Sequence, residues 1–174
     1  MWERNKDEGL KKLEEVRQLT RGALAEMRTL LFELRPAALA DADLNDLLKQ
    51  LTESVIGKTR IPVSLEIDGT NELPTSVKVA LYRITQEALN NITKHSKASR
   101  AQVTLHSQPH RVTLQIIDNG RGFDMAQGAT GSFGLNNMRE RAGQIGAVLQ
   151  IDSKLGQGTE ITVDWHNNTG EGLQ

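Results

Sequence analysis

The segment from Val77 to His95, VKVALYRITQEALNNITKH, carries the pattern that most restricts the fold of this chain. At about 100° per residue its apolar side chains fall on one arc, which predicts a helix buried against a core. Glu87, Asn91 and His95 fall on the same arc. Buried polar groups are costly unless they are satisfied, so these residues form either an internal hydrogen-bond network or a binding site, and three in one row favour a site. The apolar residues of the arc are Val77, Ala80, Leu81, Ile84, Ala88 and Ile92.

The composition argues against several classes of function. The 174 residues contain 21 Lys and Arg against 22 Asp and Glu, so the net charge of -1 provides no global attraction to DNA or to an anionic membrane. Aromatic residues make up 3% of the chain, too few for the stacking platforms that bind single-stranded nucleic acid. The sequence shows no bilayer-spanning apolar run and no signal peptide, and it contains no cysteine. We therefore expect a soluble, cytoplasmic chain without nucleic-acid or membrane contacts.

The N-terminal part predicts a long helix with one apolar seam. Between about Leu10 and Leu34 the apolar residues are separated by alternating steps of three and four, a heptad pattern typical of helices that pack on another helix. Packing of this helix on its own domain is the alternative. Pro36 ends the helix. The seam consists of Leu13, Val16, Thr20, Ala23, Met27, Leu30 and Leu34.

The rest of the chain predicts an α+β domain in which one sheet is covered by helices. Helices and mostly antiparallel strands are interleaved without repeated βαβ units. Asp43 is placed to cap a helix that ends near Gly57. We expect the polar tail from Asn167 to be disordered. Besides the helix at Val77, the predicted elements are a strand from Ile61 to Ile67, strands Ala101 to His106 and Arg111 to Ile117 joined through Gln108-Pro109, a helix from Leu135, and a hairpin turning at Gly156-Gln157-Gly158.

The inward-facing polar residues of the central helix have the chemistry of a metal and phosphate site. The side-chain oxygen of Asn91 is a hard ligand suited to Mg²⁺. Glu87, one turn earlier, can polarise a nucleophile or hold a metal-bound water. Lys94 and His95, just beyond, can donate hydrogen bonds to phosphate oxygens.

Two glycine-containing motifs add groups suited to a base and to an anion. Asp118 ends a strand and can accept from an adenine amino group, and Gly120 and Gly122 behind it allow the backbone to approach the base. Gly131 to Gly134, GSFG, begins a helix whose free N–H groups can bind an anion. Either motif alone is better explained as a turn or a flexible helix start than as a ligand site. Together with the central helix, in this order, they predict a nucleotide site.

These motifs resemble the sequence boxes of histidine kinases. QEALNNITKH resembles the N box, DNGRGF the first glycine box, GSFGLNNMRERA the second, and Gly156-Gln157-Gly158-Thr159 the closing glycine-threonine motif. Upstream, ALAEMRTLLFELRPAAL followed by LNDLL is similar to the segment that joins the dimerisation bundle to the ATPase domain in the nitrate-sensor-like subfamily. The resemblance extends from about Leu10 to Trp165.

The resemblance implies the Bergerat-type ATP-binding fold shared by gyrase, the heat-shock chaperones and MutL. This fold is a two-layer sandwich of a mixed, mostly antiparallel sheet covered by helices. ATP and Mg²⁺ are the implied ligands, and the γ-phosphoryl group would pass to a histidine and then to an aspartate in the receiver domain of a response regulator. A homodimer through the bundle helices is implied as well.

The family roles carry over to individual residues of this chain. Asn91 would bind the metal, Glu87 would be the polar activator, and Asp118 would recognise adenine. The segment between Phe123 and Ser132 resembles the abbreviated ATP lid of the subfamily, and we expect bound phosphates to order it. The implied nucleotide-binding residues are Asn91, Lys94, His95, Asp118, Gly120, Gly122, Gly131, Gly134, Leu135 and Thr159.

The histidines depart from the family pattern. The family's phosphoacceptor lies on the first bundle helix, whereas none of the four histidines of this chain lies in the N-terminal helix. We interpret residues 1–40 as the second bundle helix plus linker, 41–166 as the ATP-binding domain and 167–174 as a tail, and we expect no autophosphorylation in isolation. A nucleotide-dependent interaction module without transfer, or an anti-sigma-type serine kinase, is the alternative. Membrane anchoring of a full-length protein is left open. The histidines are His95, His106, His110 and His166.

Overall fold

A computed structural model of the chain describes residues 42–69, 72–125 and 133–167, together with 8–10, 12–14, 16, 17, 20, 24, 27 and 39. The helices are α1 (Leu44–Thr59), α2 (Thr75–Asn91), which continues as a π-helical turn (Ile92–Ser96), and α3 (Phe133–Gln144). The strands are β1 (Val63–Asp68), β2 (Ala101–Gln108), β3 (Arg111–Asp118), β4 (Val148–Lys154) and β5 (Gly158–His166).

The five strands form one mixed sheet in the order β1-β2-β3-β5-β4. β1 and β2 pair in parallel, and the other pairs are antiparallel. Alternate residues of β3, namely Val112, Leu114 and Ile116, are buried beneath the helices, while the residues between them are partly exposed on the opposite face. The predicted α+β class, with one mostly antiparallel sheet covered by helices, is confirmed.

Helix α2 lies between α1, α3 and the sheet. The six apolar residues of its predicted arc are all buried, as expected. Tyr82, Thr85 and Leu89 are buried too, so the buried arc is wider than the sequence pattern indicated. The cause is that α1 and α3 both pack against α2, in addition to the sheet beneath it.

Asp43 caps α1 as predicted, but the predicted end of this helix at Gly57 is wrong. The Asp43 carboxylate accepts hydrogen bonds from the backbone N–H groups of Asn45 at 2.8 Å and Asp46 at 3.3 Å. The helix continues to Thr59, and Arg60 ends it in the left-handed conformation at φ 61°. Arg60 N donates to Ile56 O at 3.0 Å, so the hydrogen bonding runs past the glycine.

Other predicted boundaries shift by one or two residues. β1 begins at Val63, because Pro62 has no N–H to donate to a neighbouring strand. The Pro62 carbonyl can still accept, and it does so from Ala101 N at 3.0 Å. The C-terminal turn spans 155–157, because Gly158 already pairs with Lys154 in the sheet. Helix α3 begins at Phe133 rather than at Leu135. β2 ends at Gln108 and β3 at Asp118, each later than predicted.

The tail prediction is wrong at its first residue. Asn167, which was expected to begin a disordered tail, donates from its backbone N–H to His110 O at 2.8 Å. The remaining tail residues, 168–174, lie outside the described residues.

The described residues between Leu10 and Met27 are helical and expose their apolar side chains, whereas Leu39 is buried in the core. Leu10, Leu13, Val16, Leu24 and Met27 have exposed fractions of 52–67%. Three seam positions, Ala23, Leu30 and Leu34, lie outside the described residues. In the described part of the chain, no helix is long and apolar enough to cross a bilayer.

Candidate nucleotide site

A cavity of about 280 Å³ opens between α2 and its π-helical turn, the start of α3, the end of β3 and the start of β5. Its lining is mostly apolar, with Ala88, Ile92, Ile116 and Ile161 forming the walls. An apolar slot with a few polar groups at its edge suits a flat heterocycle. The predicted site residues that line it are Asn91, His95, Asp118, Gly122, Leu135 and Thr159.

Asp118 is the buried acid of this cavity. It ends β3 with an exposed fraction of 5%, and its Oδ1 accepts a hydrogen bond from Gly120 N at 2.7 Å. Burial raises the pKa of the Asp118 carboxyl, and the Gly120 hydrogen bond partly offsets that rise. No other residue in the described ranges donates to this carboxylate, which therefore keeps acceptor capacity for an amino group of a ligand.

The raised pKa of Asp118 has a consequence for stability against pH. The folded chain binds this proton more tightly than the unfolded chain, so the stabilisation is complete below the usual pKa of 3.8 and is lost as pH rises through the raised value. We expect the free energy of unfolding of the wild type, measured relative to Asp118→Asn, to fall over that interval and level off above it. Urea denaturation of both proteins over a pH series measures this, and parallel curves would contradict it.

Gly120 and Gly122 allow close backbone contacts, but these contacts are within the protein. A Cβ on Gly120 would collide with Ser96 O, and a Cβ on Gly122 would collide with Lys154 O. Gly122 also has φ 57°, where a side chain is strained. Their lack of side chains lets the segment 119–123 fit between Ser96 and Lys154. That the two glycines also allow a base to approach stays a prediction.

The π-helical turn after α2 was not predicted, and it sets the positions of Lys94 and His95. Ser96 Oγ donates to Ile92 O at 2.8 Å, and Ser96 O accepts from Arg121 N at 2.7 Å. The turn places exposed His95 along the cavity, whereas Lys94 is exposed and is not part of the lining. Turns of this type occur frequently at functional sites.

Glu87 and Asn91 are half-buried at the margin of α2 rather than enclosed in the core. They are the acid and the amide of the predicted inward row, and the start of α3 lies across both of them. A Cβ on Gly134 would collide with Glu87 Oε1 and would lie 3.5 Å from Asn91 Nδ2. The absence of a side chain at Gly134 therefore brings the second glycine motif onto the polar row of α2.

Most of the predicted lid lies outside the described residues. Gly131 and the rest of 126–132 lie outside the described residues, as does the predicted ordering of that segment. Phe133, which follows directly, is 80% exposed.

The carboxylate of Glu87 and the amide of Asn91, which both approach Gly134, have oxygens of the kind that suits a magnesium ion shared with phosphates. Both are hard donors, and Mg²⁺ typically takes one or two protein ligands and completes its shell with phosphate oxygens and water. Within the described residues, no group of three or more His, Asp or Glu side chains is placed to hold a metal by itself. This donor set therefore suits a metal that enters with a phosphate-bearing ligand.

The sequence analysis missed several residues around the cavity. Arg121 and Phe123 line it. A hydrogen bond from Gly156 N to the backbone carbonyl of Arg121, 2.7 Å long, holds the Arg121 backbone in place. Both lie inside DNGRGF, Arg121 between the two glycines and Phe123 directly after the second, so the motif itself is the signal that could have found them. Ser153 lies behind the lining, where its hydroxyl accepts from Phe123 N at 3.0 Å. No sequence signal marks Ser153, which reads as an ordinary polar residue of a strand.

Comparison with known proteins identifies the family of this domain. The model of the histidine kinase-, DNA gyrase B- and HSP90-like ATPases matches residues 76–169. The chain is 39% identical over 158 residues to the signal transduction histidine-protein kinase/phosphatase DegS of Brevibacillus brevis, covering 90% of this chain and 41% of that protein. It is 40% identical over 157 residues to the sensor histidine kinase LiaS of Bacillus subtilis (strain 168), covering 90% of this chain and 43% of that protein. The chain thus spans less than half the length of these relatives.

Solved structures support the same fold at lower sequence identity. The histidine kinase domain of the blue-light activated histidine kinase from Erythrobacter litoralis EL346 superposes with a TM-score of 0.61 at 20% identity, covering 86% of this chain and 75% of that chain. The mycobacterial sensor histidine kinase MprB superposes with a TM-score of 0.53 at 19% identity, covering 72% and 95%. The family model matches more than half of the chain, which therefore belongs to the histidine kinase-, DNA gyrase B- and HSP90-like ATPases and corresponds to the ATP-binding catalytic domain of a sensor histidine kinase.

Proposed function

We propose that this chain binds ATP with magnesium in the cavity and transfers the γ-phosphoryl group to a histidine on an acceptor helix, for relay to an aspartate of a response regulator. The observation that carries the proposal is the convergence of a buried acid, a half-buried amide and the start of α3 around one cavity. Base, metal and phosphates each have a partner of suitable chemistry there.

Each residue of the proposed site has a distinct task. Asp118 accepts a hydrogen bond from the adenine amino group at the buried end of the cavity. Asn91 holds the magnesium ion, which neutralises phosphate charge when it is bound. Glu87 accepts a hydrogen bond from the incoming imidazole and orients it. His95 donates hydrogen bonds to phosphate oxygens. Lys94 lies outside the cavity lining and attracts the phosphates through its positive charge. Transfer forms an N–P bond to the imidazole and breaks the bond between the γ-phosphorus and the β-phosphate oxygen.

The glycines, Leu135 and Thr159 complete the proposed nucleotide-binding set. Gly120, Gly122 and Gly134 allow the close contacts already described, and Gly131 is retained from the family motif. Leu135 closes the apolar wall at the start of α3, where backbone N–H groups face a phosphate. Thr159 lies opposite Asp118 in the sheet.

Residues 1–40 are proposed to form the second helix of a dimerisation bundle and its linker. The exposed apolar side chains of Leu10, Leu13, Val16 and Met27 support this assignment, because a helix seam with this exposure gains stability from burial against other helices. The full bundle would pair two copies of the kinase and present the acceptor histidine to the ATP-binding domain, residues 41–166.

Phosphotransfer in trans tests the proposed activity. Incubation of the chain with γ-labelled ATP, magnesium and a separately prepared acceptor hairpin is expected to place acid-labile, alkali-stable label on the hairpin and none on this chain. The control is the same hairpin with its histidine replaced by glutamine. Robust label on His95, His106, His110 or His166 would contradict the proposal. ATP binding without transfer would favour an interaction module, and acid-stable label on serine would favour a serine kinase.

A further inference from the structure

The hydroxyl group of Ser153, near the end of β4, joins three groups that surround the nucleotide cavity. Its Oγ accepts from Phe123 N at 3.0 Å and lies 3.0 Å from Gly158 O and 3.0 Å from Thr159 Oγ1. Phe123 and Thr159 both line the cavity, whereas Ser153 does not. Ser153 therefore connects two walls of the site from behind.

Counting donors and acceptors assigns a direction to these hydrogen bonds. A serine hydroxyl has one proton to donate and two lone pairs that accept. The Phe123 N–H uses one lone pair. Gly158 O can only accept, so the Ser153 proton goes to this carbonyl. The distance between the two hydroxyl groups allows either to donate. The direction that satisfies all three contacts at once is donation from the Thr159 hydroxyl to the remaining lone pair of Ser153, and we assign that direction.

This arrangement leaves Thr159 as an acceptor on its cavity side. Its single proton is used by Ser153, and no further hydrogen bond of its hydroxyl is formed within the described ranges. Thr159 is the register partner of Asp118 across the β3–β5 pair, and both residues line the cavity. Two acceptors therefore lie side by side at this end of the cavity.

We propose that Ser153 is a positioning residue that holds Thr159 as a hydrogen-bond acceptor and so adds to the selection of a base bearing an amino group. An exocyclic amino group, directly or through a water molecule, can donate to both Asp118 and Thr159. A carbonyl in the same place would face two acceptors with no proton between them, which is costly at a buried position. This inference rests on the proposed contact between Asp118 and adenine, and it extends that contact to a residue that does not touch the base.

Ser153→Ala tests the proposal with ATP and inosine triphosphate, which carries a carbonyl where adenine carries its amino group. In this variant Phe123 N–H loses its acceptor, and the Thr159 hydroxyl becomes free to rotate and donate into the cavity. We expect the Kd for ATP to rise about fivefold, since one hydrogen bond that organises the site is lost. Binding of inosine triphosphate is expected to weaken less. The Kd for inosine triphosphate divided by the Kd for ATP, which measures the preference for ATP, is therefore expected to fall about threefold.

Two matched variants separate positioning from a loss of stability. Ser153→Thr keeps the hydroxyl and is suited to a strand. This variant is therefore expected to retain the wild-type affinity for ATP and the wild-type preference for ATP. Ser64→Ala removes an exposed serine from β1, at the opposite edge of the sheet, and is expected to change neither. Tm is measured for every variant. The proposal is overturned if Ser153→Ala has the same ratio of Kd values as the wild type, or if Ser153→Thr has the same lowered ratio as Ser153→Ala.

Asp118→Asn distinguishes failure of this inference from failure of the adenine assignment. If the ratio of Kd values changes in Asp118→Asn but not in Ser153→Ala, the proposed role of Ser153 is wrong and the contact between Asp118 and adenine stands. An unchanged ratio in both variants would remove the adenine contact and the role of Ser153 together.

Discussion

Asn91→Ala is expected to raise the Kd for ATP in the presence of magnesium on the order of a hundredfold. The variant removes the side-chain amide of Asn91, whose oxygen would hold the metal that enters with the phosphates. In the presence of EDTA, the wild type and Asn91→Ala are expected to bind ATP equally weakly, because only the metal-dependent part of the affinity is lost. Isothermal titration calorimetry under both conditions measures the difference.

Asn45→Ala is the matched control for Asn91→Ala. Asn45 lies in the first turn of α1, away from the cavity, and its replacement also removes one side-chain amide from a helix. The control is expected to bind ATP with magnesium as the wild type does. If Asn91→Ala bound with undiminished affinity, or if its loss persisted unchanged in EDTA, the metal assignment would be wrong.

Gly122→Ala is expected to destabilise the chain by about 3 kcal/mol or more and to abolish measurable ATP binding. A methyl group there adds a collision with Lys154 O to the cost of the left-handed backbone. Relief of that collision must move the segment that carries Arg121 and Phe123, both of which line the cavity. Urea denaturation and calorimetry with ATP measure the two effects.

Gly146→Ala isolates the backbone part of this cost. Gly146 has φ 68°, close to the 57° of Gly122, but a Cβ at Gly146 would meet nothing within 4 Å. Its replacement is expected to cost about 1–2 kcal/mol, the penalty of a left-handed residue, and to leave the Kd for ATP unchanged. Equal losses of stability at the two positions would show that the collision with Lys154 O adds nothing to the cost of Gly122→Ala.

The elements that could be predicted from the sequence are those specified by local periodicity. The buried arc of α2 and the alternation in β3 and β5 follow from which side chains must avoid water, so their positions needed no tertiary information. The Asp43 cap is equally local. Convergence of Asp118, Asn91 and the start of α3 could be predicted only because four motifs occur in the order known from the family.

The features that could not be predicted depend on contacts between distant segments. The π-helical turn is held where Ser96 O accepts from Arg121 N, and α2 carries no local signal for it. Gly57 looks like a helix end because glycine favours that position, yet hydrogen bonding continues to Arg60. Ser153 alternates like any polar strand residue, and its partners come from outside its own strand. The burial of Glu87 depends on where α3 begins, which the sequence placed two residues too late.

Asp118 and Thr159 are register partners in the β3–β5 pair. If both bind the nucleotide as proposed, nucleotide binding depends on how β3 and β5 align. Side chains of a strand alternate between faces, so a slip of β5 by a single residue would turn Thr159 to the opposite face and leave Asp118 without its neighbour. A misaligned chain would retain its backbone ladder and lose the site. ATP at about a hundred times its Kd would add about 2.7 kcal/mol to the aligned form alone. Nucleotide supplied during refolding would then favour the aligned form over a form in which β5 is shifted.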